Sequence, residues 1–381
     1  MNLPPLPDLL AGLVRLPSVN PMGRTDLPAH LLHESRVTDY LDAHLRQLPV
    51  RVTRRPVAPG RDNLVATFAP PNPPLHLLWE AHQDTVPADG MTVEPFAAEV
   101  RDGKLYGRGA CDVKAGVAAM LYAFARLVTE NPPGAAAVTL AFTVDEEHTF
   151  LGVQALVADG VRADLAVVAE PTGLDLVTSH KGVVRWTLET TGLACHSSRP
   201  ADGVNAVYAM AKLVTRLEVY AAELAARPQH PELGPPTISV GVISGGVSPN
   251  TVPDRCRIEV DRRLLPGEDP AAAVAEANAA LRETGVAFTS AVTFACPPLP
   301  AVVPDHLLVR FGDCIQAVAG RPARQRAVPF ATDASTLAEA GVPAVVFGPG
   351  DIAQAHTADE WVALAEVEQA ADILYRLACG K

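Results

Sequence analysis

Nothing in these 381 residues approaches a membrane span: no uninterrupted apolar run comes near the roughly 20 residues that a bilayer-crossing helix needs. The Met1–Asn2–Leu3 start also lacks a basic region followed by an apolar stretch, so the expectation is a soluble, unprocessed chain. Cysteine is sparse and scattered. The six thiols (Cys111, Cys195, Cys256, Cys296, Cys314, Cys379) form no CxxC pair, which argues against a disulfide framework and a thiolate zinc site and predicts a reducing, cytoplasmic setting. Clustered positive charge is missing too, apart from Arg51, Arg54 and Arg55. With a formal net charge of −12, neither nucleic acid nor a membrane is an expected partner.

What is present is apolar and long enough for about two domains, with 48% hydrophobic residues against 19% charged. The runs Leu75–Trp79, Val138–Val144, Leu165–Ala169 and Ala344–Phe347 do not alternate, as expected of parallel strands buried on both faces. Helical stretches lie between them, notably Val113–Val128 after Asp112 as N-cap, and Glu360–Ala378 with Gly380 as a stop. The alternation predicts an α/β fold with a mostly parallel sheet made from both ends of the chain.

The middle reads differently. Gly182–Thr190, Thr237–Ser244, Arg257–Leu264 and Ala287–Phe294 are strand-like, while Val204–Ala226 and Pro270–Glu283 are helical. This β-α-β-β-α-β order is the split, ferredoxin-like pattern. It predicts an inserted α+β domain over residues 177–292, with residues 1–176 and 293–381 forming the other domain.

Each apolar run leads into groups that carry chemistry. Leu75–Trp79 runs into Glu80-Ala81-His82-Gln83-Asp84, Val138–Val144 into Asp145-Glu146-Glu147-His148, Leu165–Ala169 into Glu170, and Ala344–Phe347 towards His356. Parallel strands finish on one edge, where α/β sheets bind ligands, so these residues and Asp112 converge there. Several carboxylates in one crevice are too costly to persist uncompensated, and divalent cations resolve the conflict. Imidazole plus carboxylate suits zinc best, with manganese or cobalt as substitutes. Five of the residues can form a two-metal site with one bridging carboxylate. Asp84, two residues past His82, is placed to orient that imidazole. Of Glu146 and Glu147, one can bind metal while the other faces water as general base.

The motifs AHQDTVP (81–87), DGKLYGRGACDVKAG (102–116), TVDEEHTFLG (143–152), AEPTG (169–173), HKG (180–182), CHSSRPADGVNA (195–206), GGVSPNTVPD (245–254), DRRLLPGE (261–268) and AHTADEW (355–361) cover nearly the whole chain. In that order they resemble the M20 metallopeptidase/amidohydrolase family. That family includes acetylornithine deacetylase, succinyl-diaminopimelate desuccinylase, aminoacylase and glutamate carboxypeptidase, and the deacetylases are the most similar.

The resemblance implies two zinc ions, one on His82 and Glu170, the other on Glu147 and His356, with Asp112 bridging and Asp84 orienting His82. It further implies attack on an amide carbonyl by a zinc-bound hydroxide, with Glu146 as general base. The inserted domain becomes a lid that mediates homodimerisation, bringing His196 as oxyanion donor to the partner subunit's site. Asn250 and Arg263 would grip the substrate carboxylate. N-acetylornithine deacetylation, in arginine biosynthesis, is the first substrate reading. Desuccinylase, general aminoacylase and carboxypeptidase or dipeptidase are the alternatives within the class.

Taken singly, each motif has a plainer reading. A lone histidine is more often structural than a ligand, adjacent glutamates more often a solvated turn. Asn250 reads equally as a turn residue, Arg263 as a salt-bridge partner within its domain, and His196 as the start of a helix. His148 is a loop residue and Cys111 a small packing residue. Glu80 departs from the family pattern; it either favours a cationic substrate or is paired elsewhere. A non-catalytic, metal-stabilised binding protein is the reading from another class, and a glutamate left free beside the metals argues against it.

Overall fold

The computed structural model describes residues 3–380; Met1 and Asn2, on which the expectation of an unprocessed chain draws, lie outside them, as does Lys381. The chain divides into two compact units, one running to Thr178 and resuming over Ala301–Arg326 and from Thr332, the other formed by Ser179–Pro300 with Ala327–Ala331. Among the described residues no helix is long and apolar enough to cross a membrane. Among the described residues the six cysteines form no disulfide.

The first unit is built on an eight-stranded sheet. Its order is Arg51–Ala58, Arg61–Phe68, Ala137–Thr143, His76–His82, Leu165–Val168, Ala344–Val346, Leu176–His180, Gln325–Val328. The four strands that read as apolar runs lie side by side at its centre and are parallel. Antiparallel pairs flank them, so the sheet is mixed. Ala137–Thr143 and Leu165–Val168 are buried at every position, which removes any reason to alternate.

Helix Lys114–Glu130 is buried almost all round and ends at Asn131, in the left-handed conformation at φ 40°. It packs with Leu364–Cys379, whose stop at Gly380 takes φ 69°. Two of the boundaries that differ from expectation do so for a tertiary reason. Asp112 makes no capping bond, because its carboxylate is used elsewhere, and Val113 is the residue that precedes the helix. The last helix begins at Leu364 rather than Glu360, because Trp361–Ala363 pairs as a short strand with Lys104–Tyr106.

The second unit has a four-stranded antiparallel sheet ordered Thr237–Gly245, Arg255–Leu264, Gly182–Thr191, Thr289–Cys296. Along Arg255–Leu264 burial alternates residue by residue, and the inward set packs with Trp186 and Leu188 against the helices Ala206–Ala225 and Pro270–Arg282. Asp269 caps the second helix, its Oδ1 accepting the Ala272 N–H at 2.7 Å. Asp269→Ala is expected to cost about 0.5–2 kcal/mol in urea unfolding, the ordinary loss of an N-cap.

Candidate metal centre

The carboxyl ends of the central strands carry the donors. His82 ends its own strand, Glu146 and Glu147 follow Ala137–Thr143, and Glu170 follows Leu165–Val168. The turn before Glu146 passes through Asp145 at φ 69°. Gly348 holds the last loop close: a Cβ there would lie 2.7 Å from the carbonyl oxygen of Glu170. Main-chain bonds Gly173 N–H to Gly350 O (2.7 Å) and Leu174 N–H to Gly348 O (3.1 Å) stitch the two loops together. Asp112 arrives on the loop before helix Lys114–Glu130, and His356 beyond Ala344–Val346 at φ 60°.

Asp112 lies between two trios of potential ligands. Its Oδ1 is 3.3 Å from His82 Nε2, which is 3.8 Å from Glu170 Oε1. Its Oδ2 is 3.3 Å from His356 Nε2, itself 3.3 Å from Glu147 Oε2. Within each trio, His82–Asp112–Glu170 and Asp112–Glu147–His356, the ligand atoms all lie within 4.8 Å of one another. His82 Nε2, Asp112 Oδ1 and Glu147 Oε1 are buried without a hydrogen-bond partner. Buried polar atoms are almost always paired, so three orphans on the residues of these two trios fit a pair of cations.

The electrostatics agree with the geometry. Burial, then the charges of Asp112 and Glu147, push the Glu170 carboxyl well above the usual carboxylate range. Burial and neighbouring acids do the same for Glu146, which is 8% exposed and belongs to neither trio. Burial opposes a charged His82, but the Asp112 and Asp84 carboxylates outweigh it and raise its pKa well above normal. His356, beside Asp112 and Glu147, is raised to about 10. Burial makes Glu146, Glu147 and Glu170 resist ionisation while the two imidazoles hold Asp112 below the usual carboxylate range, and divalent cations stabilise such a cluster.

A family model, peptidase family M20/M25/M40, matches residues 78–379. The chain belongs to this family. As an M20-family protein it is a hydrolytic metalloenzyme. Acetylornithine deacetylase of Yersinia pestis is 32% identical over 392 residues, covering 99% of this chain and 97% of that protein. The Myxococcus xanthus acetylornithine deacetylase is 33% identical over 303 residues, covering 77% of each. Among solved structures, the M20 family metallo-carboxypeptidase Sso-CP2 of Sulfolobus solfataricus superposes with a TM-score of 0.80 at 19% identity, covering 99% of both chains. The YXEP protein of Bacillus subtilis, described as a dinuclear metal binding peptidase, gives 0.70 at 16% identity, covering 98% of this chain and 96% of its own.

Support for His82 in this M20-family chain comes by an unexpected route. The Nδ1–H donates to the main-chain oxygen of Asp84 at 3.0 Å, and the Asp84 carboxylate stands 3.6 Å away. That bond fixes the tautomer and leaves Nε2 facing Asp112 and Glu170, where it could serve as a ligand atom. The carboxylate instead accepts the main-chain N–H groups of Glu146 and Glu147, both at 3.2 Å, and Asn20 Nδ2 at 2.8 Å. It thereby fixes where the Glu146-Glu147 pair begins. Behind it Arg61 bonds Glu34 through Nε at 2.9 Å and Asp145 through Nη1 at 2.6 Å.

Sequence reading missed Asn20, Glu34 and Arg61, none of which is a ligand or lies in a donor-rich motif, and gave no role to Asp145, although it opens the Asp145-Glu146-Glu147-His148 run. Glu360 was also missed, although it stands inside AHTADEW. Glu80, on the face of the strand shared with His82, is 1% exposed and accepts the Thr143 hydroxyl at 2.5 Å, with Asp333 Oδ2 3.4 Å from the same hydroxyl. Burial, above all, pushes its carboxyl up to about 7. Of the two readings, Glu80 is paired within the protein.

The remaining three predicted residues lie in the second unit. His196 Nδ1 accepts the Ser198 N–H at 3.1 Å, so a neutral imidazole carries its proton on exposed Nε2. Asn250 is its neighbour, its main-chain oxygen accepting the Ser197 N–H at 2.9 Å and its side chain the Ser248 hydroxyl at 2.5 Å. Arg263 sits on the strand Arg255–Leu264 and donates through Nε to Asp261 at 2.9 Å.

Proposed function

We propose that this M20-family protein hydrolyses the amide bond of an N-acyl amino acid, N-acetylornithine foremost, with Glu146 as general base. Asp112 carries the reading: one carboxylate offers an oxygen to each of two ligand trios, while Glu146, next in sequence to a member of one trio, belongs to neither. His82 and Glu170 would hold one zinc ion, Glu147 and His356 the other, with Asp112 between them. Cobalt or manganese would substitute. The donors are all imidazole or carboxylate, and the nearby Cys111 thiol is turned to Asp351 O at 3.4 Å. Bound there, the ions supply Lewis acidity to a water molecule and to the amide carbonyl.

The chain's own residues then move the protons. Glu146 takes a proton from the attacking water onto its carboxylate and passes it to the leaving amine. A carboxyl that burial holds above the usual range is suited to carrying that proton. His196, protonated on Nε2, donates to the developing oxyanion, and Asn250 with Arg263 grips the substrate carboxylate. Asp84, through its main-chain oxygen, keeps His82 in the ligating tautomer.

The N-acetylornithine assignment draws on deacetylase relatives that are 30–33% identical; in this reading the enzyme works in arginine biosynthesis, in the cytoplasm. Residues 177–292 serve as lid and dimer contact in this reading. Supporting that, Val242 and Ile243 are 51% and 59% exposed on the edge strand Thr237–Gly245, and Tyr208 is 72% exposed on the adjoining helix. Light scattering is expected to give a dimer, and a monomer would remove the proposed role of His196 in the partner's site.

The test of function is a substrate panel of N-acetylornithine, N-succinyl-diaminopimelate, N-acetyl amino acids and dipeptides. Metal-depleted protein is expected to be inactive throughout, and zinc, cobalt or manganese to restore turnover, highest on N-acetylornithine. Hydrolysis confined to substrates with a free α-amino group would make it a peptidase instead.

A further inference from the structure

The loop carrying Asp112 is gripped by a side chain that the proposed reaction leaves unused. Glu360 is fully buried and accepts four hydrogen bonds. Its Oε1 takes the main-chain N–H of Cys111 at 2.8 Å and of Asp112 at 3.0 Å. Its Oε2 takes the N–H of Gly109 at 3.0 Å and Arg108 Nη1 at 2.7 Å. The main chain closes the same seam: Gly107 N–H donates to Glu360 O at 3.0 Å, and Arg108 Nη2 to Thr357 O at 3.4 Å. Glu360 follows His356 in the same short segment, where His356 is held at φ 60°, a conformation that a residue with a side chain rarely adopts unaided.

From this geometry we infer that Glu360 is a positioning residue for the dinuclear centre, clasping the Asp112 loop to the His356 segment so that one carboxylate reaches both ligand trios. The inference rests on the dinuclear reading above and deepens it. Only a carboxylate fits the clasp. Every bond to it ends on an acceptor, so an amide at 360 would turn its NH₂ towards N–H donors and orphan one end. The two trios depend on the clasp unequally. Asp112 and His356 both belong to the trio with Glu147, whereas only Asp112 among the clasped residues belongs to the trio with His82 and Glu170.

Metal-depleted full-length chain titrated with Co²⁺, followed by its visible absorption and by calorimetry, tests this. Wild type is expected to take two equivalents. Glu360→Gln is expected to keep the first near its wild-type midpoint and to weaken the second by roughly 10–100-fold, the usual effect of losing a residue that supports ligands. Hydrogen exchange at residues 107–112 is expected to rise in the metal-free variant. A folded Glu360→Gln that binds both equivalents at wild-type midpoints overturns the inference. So does a second midpoint that shifts without faster exchange in that loop. Wild type taking fewer than two equivalents would instead overturn the dinuclear reading. If circular dichroism shows that Glu360→Gln does not fold, Arg108→Met decides. It keeps the three main-chain bonds and is expected to weaken the second equivalent less, and wild-type midpoints in it overturn the inference.

Discussion

Glu146→Gln is expected to keep both equivalents of metal and to lose about 10²- to 10⁴-fold in kcat for amide hydrolysis, the range for removing a general acid–base group. Glutamine is nearly the same size and keeps the main-chain bond from residue 146 to Asp84 Oδ1, so the turn that presents Glu147 is undisturbed. What disappears is a carboxylate that can accept a proton from water. Because Glu146 stands outside both ligand trios, metal content and turnover should separate in this variant. The measurements are metal analysis after dialysis and steady-state kinetics on the best substrate of the panel. A variant that turns over like wild type would remove Glu146 from the mechanism; one that has lost a metal equivalent would make it a ligand.

Arg61→Met is expected to destabilise the chain by about 3–5 kcal/mol, the cost of removing one member of a buried ion network and leaving the other uncompensated. The Arg61 side chain is only 8% exposed, and it faces Glu34, Asp145 and, at 3.9 Å, Asp84. Without it three buried carboxylates remain. Methionine fills much of the volume, so the loss is chiefly electrostatic. Burial already holds Glu34 at about 7 in spite of Arg61, and removing the arginine takes away a lowering influence. A carboxyl whose folded pKa is raised destabilises the fold as pH climbs from its unfolded value through the folded one. The difference between Arg61→Met and wild type in urea unfolding is therefore expected to be larger at pH 8 than at pH 5. An equal loss at both would mean that packing, not charge, is what Arg61 supplies.

The central strands were legible because burial on both faces leaves an unbroken apolar run, which needs no knowledge of neighbours. Ligand types were legible as well, since His82, Glu146, Glu147 and Glu170 stand at or just past the ends of those runs, where a parallel sheet gathers them. Edges were less so. The segment Trp361–Ala363 reads as the start of a helix and is a strand because Lys104–Tyr106 lies beside it to pair with. Asp112 reads as a cap because aspartate before a helix usually is one; two histidines from distant segments compete for its carboxylate instead.

Residue type and local period are properties of a short stretch of chain, and they alone determined the α/β class, the β-α-β-β-α-β insertion and the donor chemistry of the site. The grouping of the donors about Asp112 was implied by the family motifs; tertiary structure decided what holds them, namely that the main-chain oxygen of Asp84 sets the His82 tautomer and that Glu34, Arg61 and Glu360 hold the loops behind them. Those pairings join residues as far apart as 252 positions, as between Arg108 and Glu360. A hydrogen bond depends on ångström-scale placement in space, and separation along the chain says nothing about it.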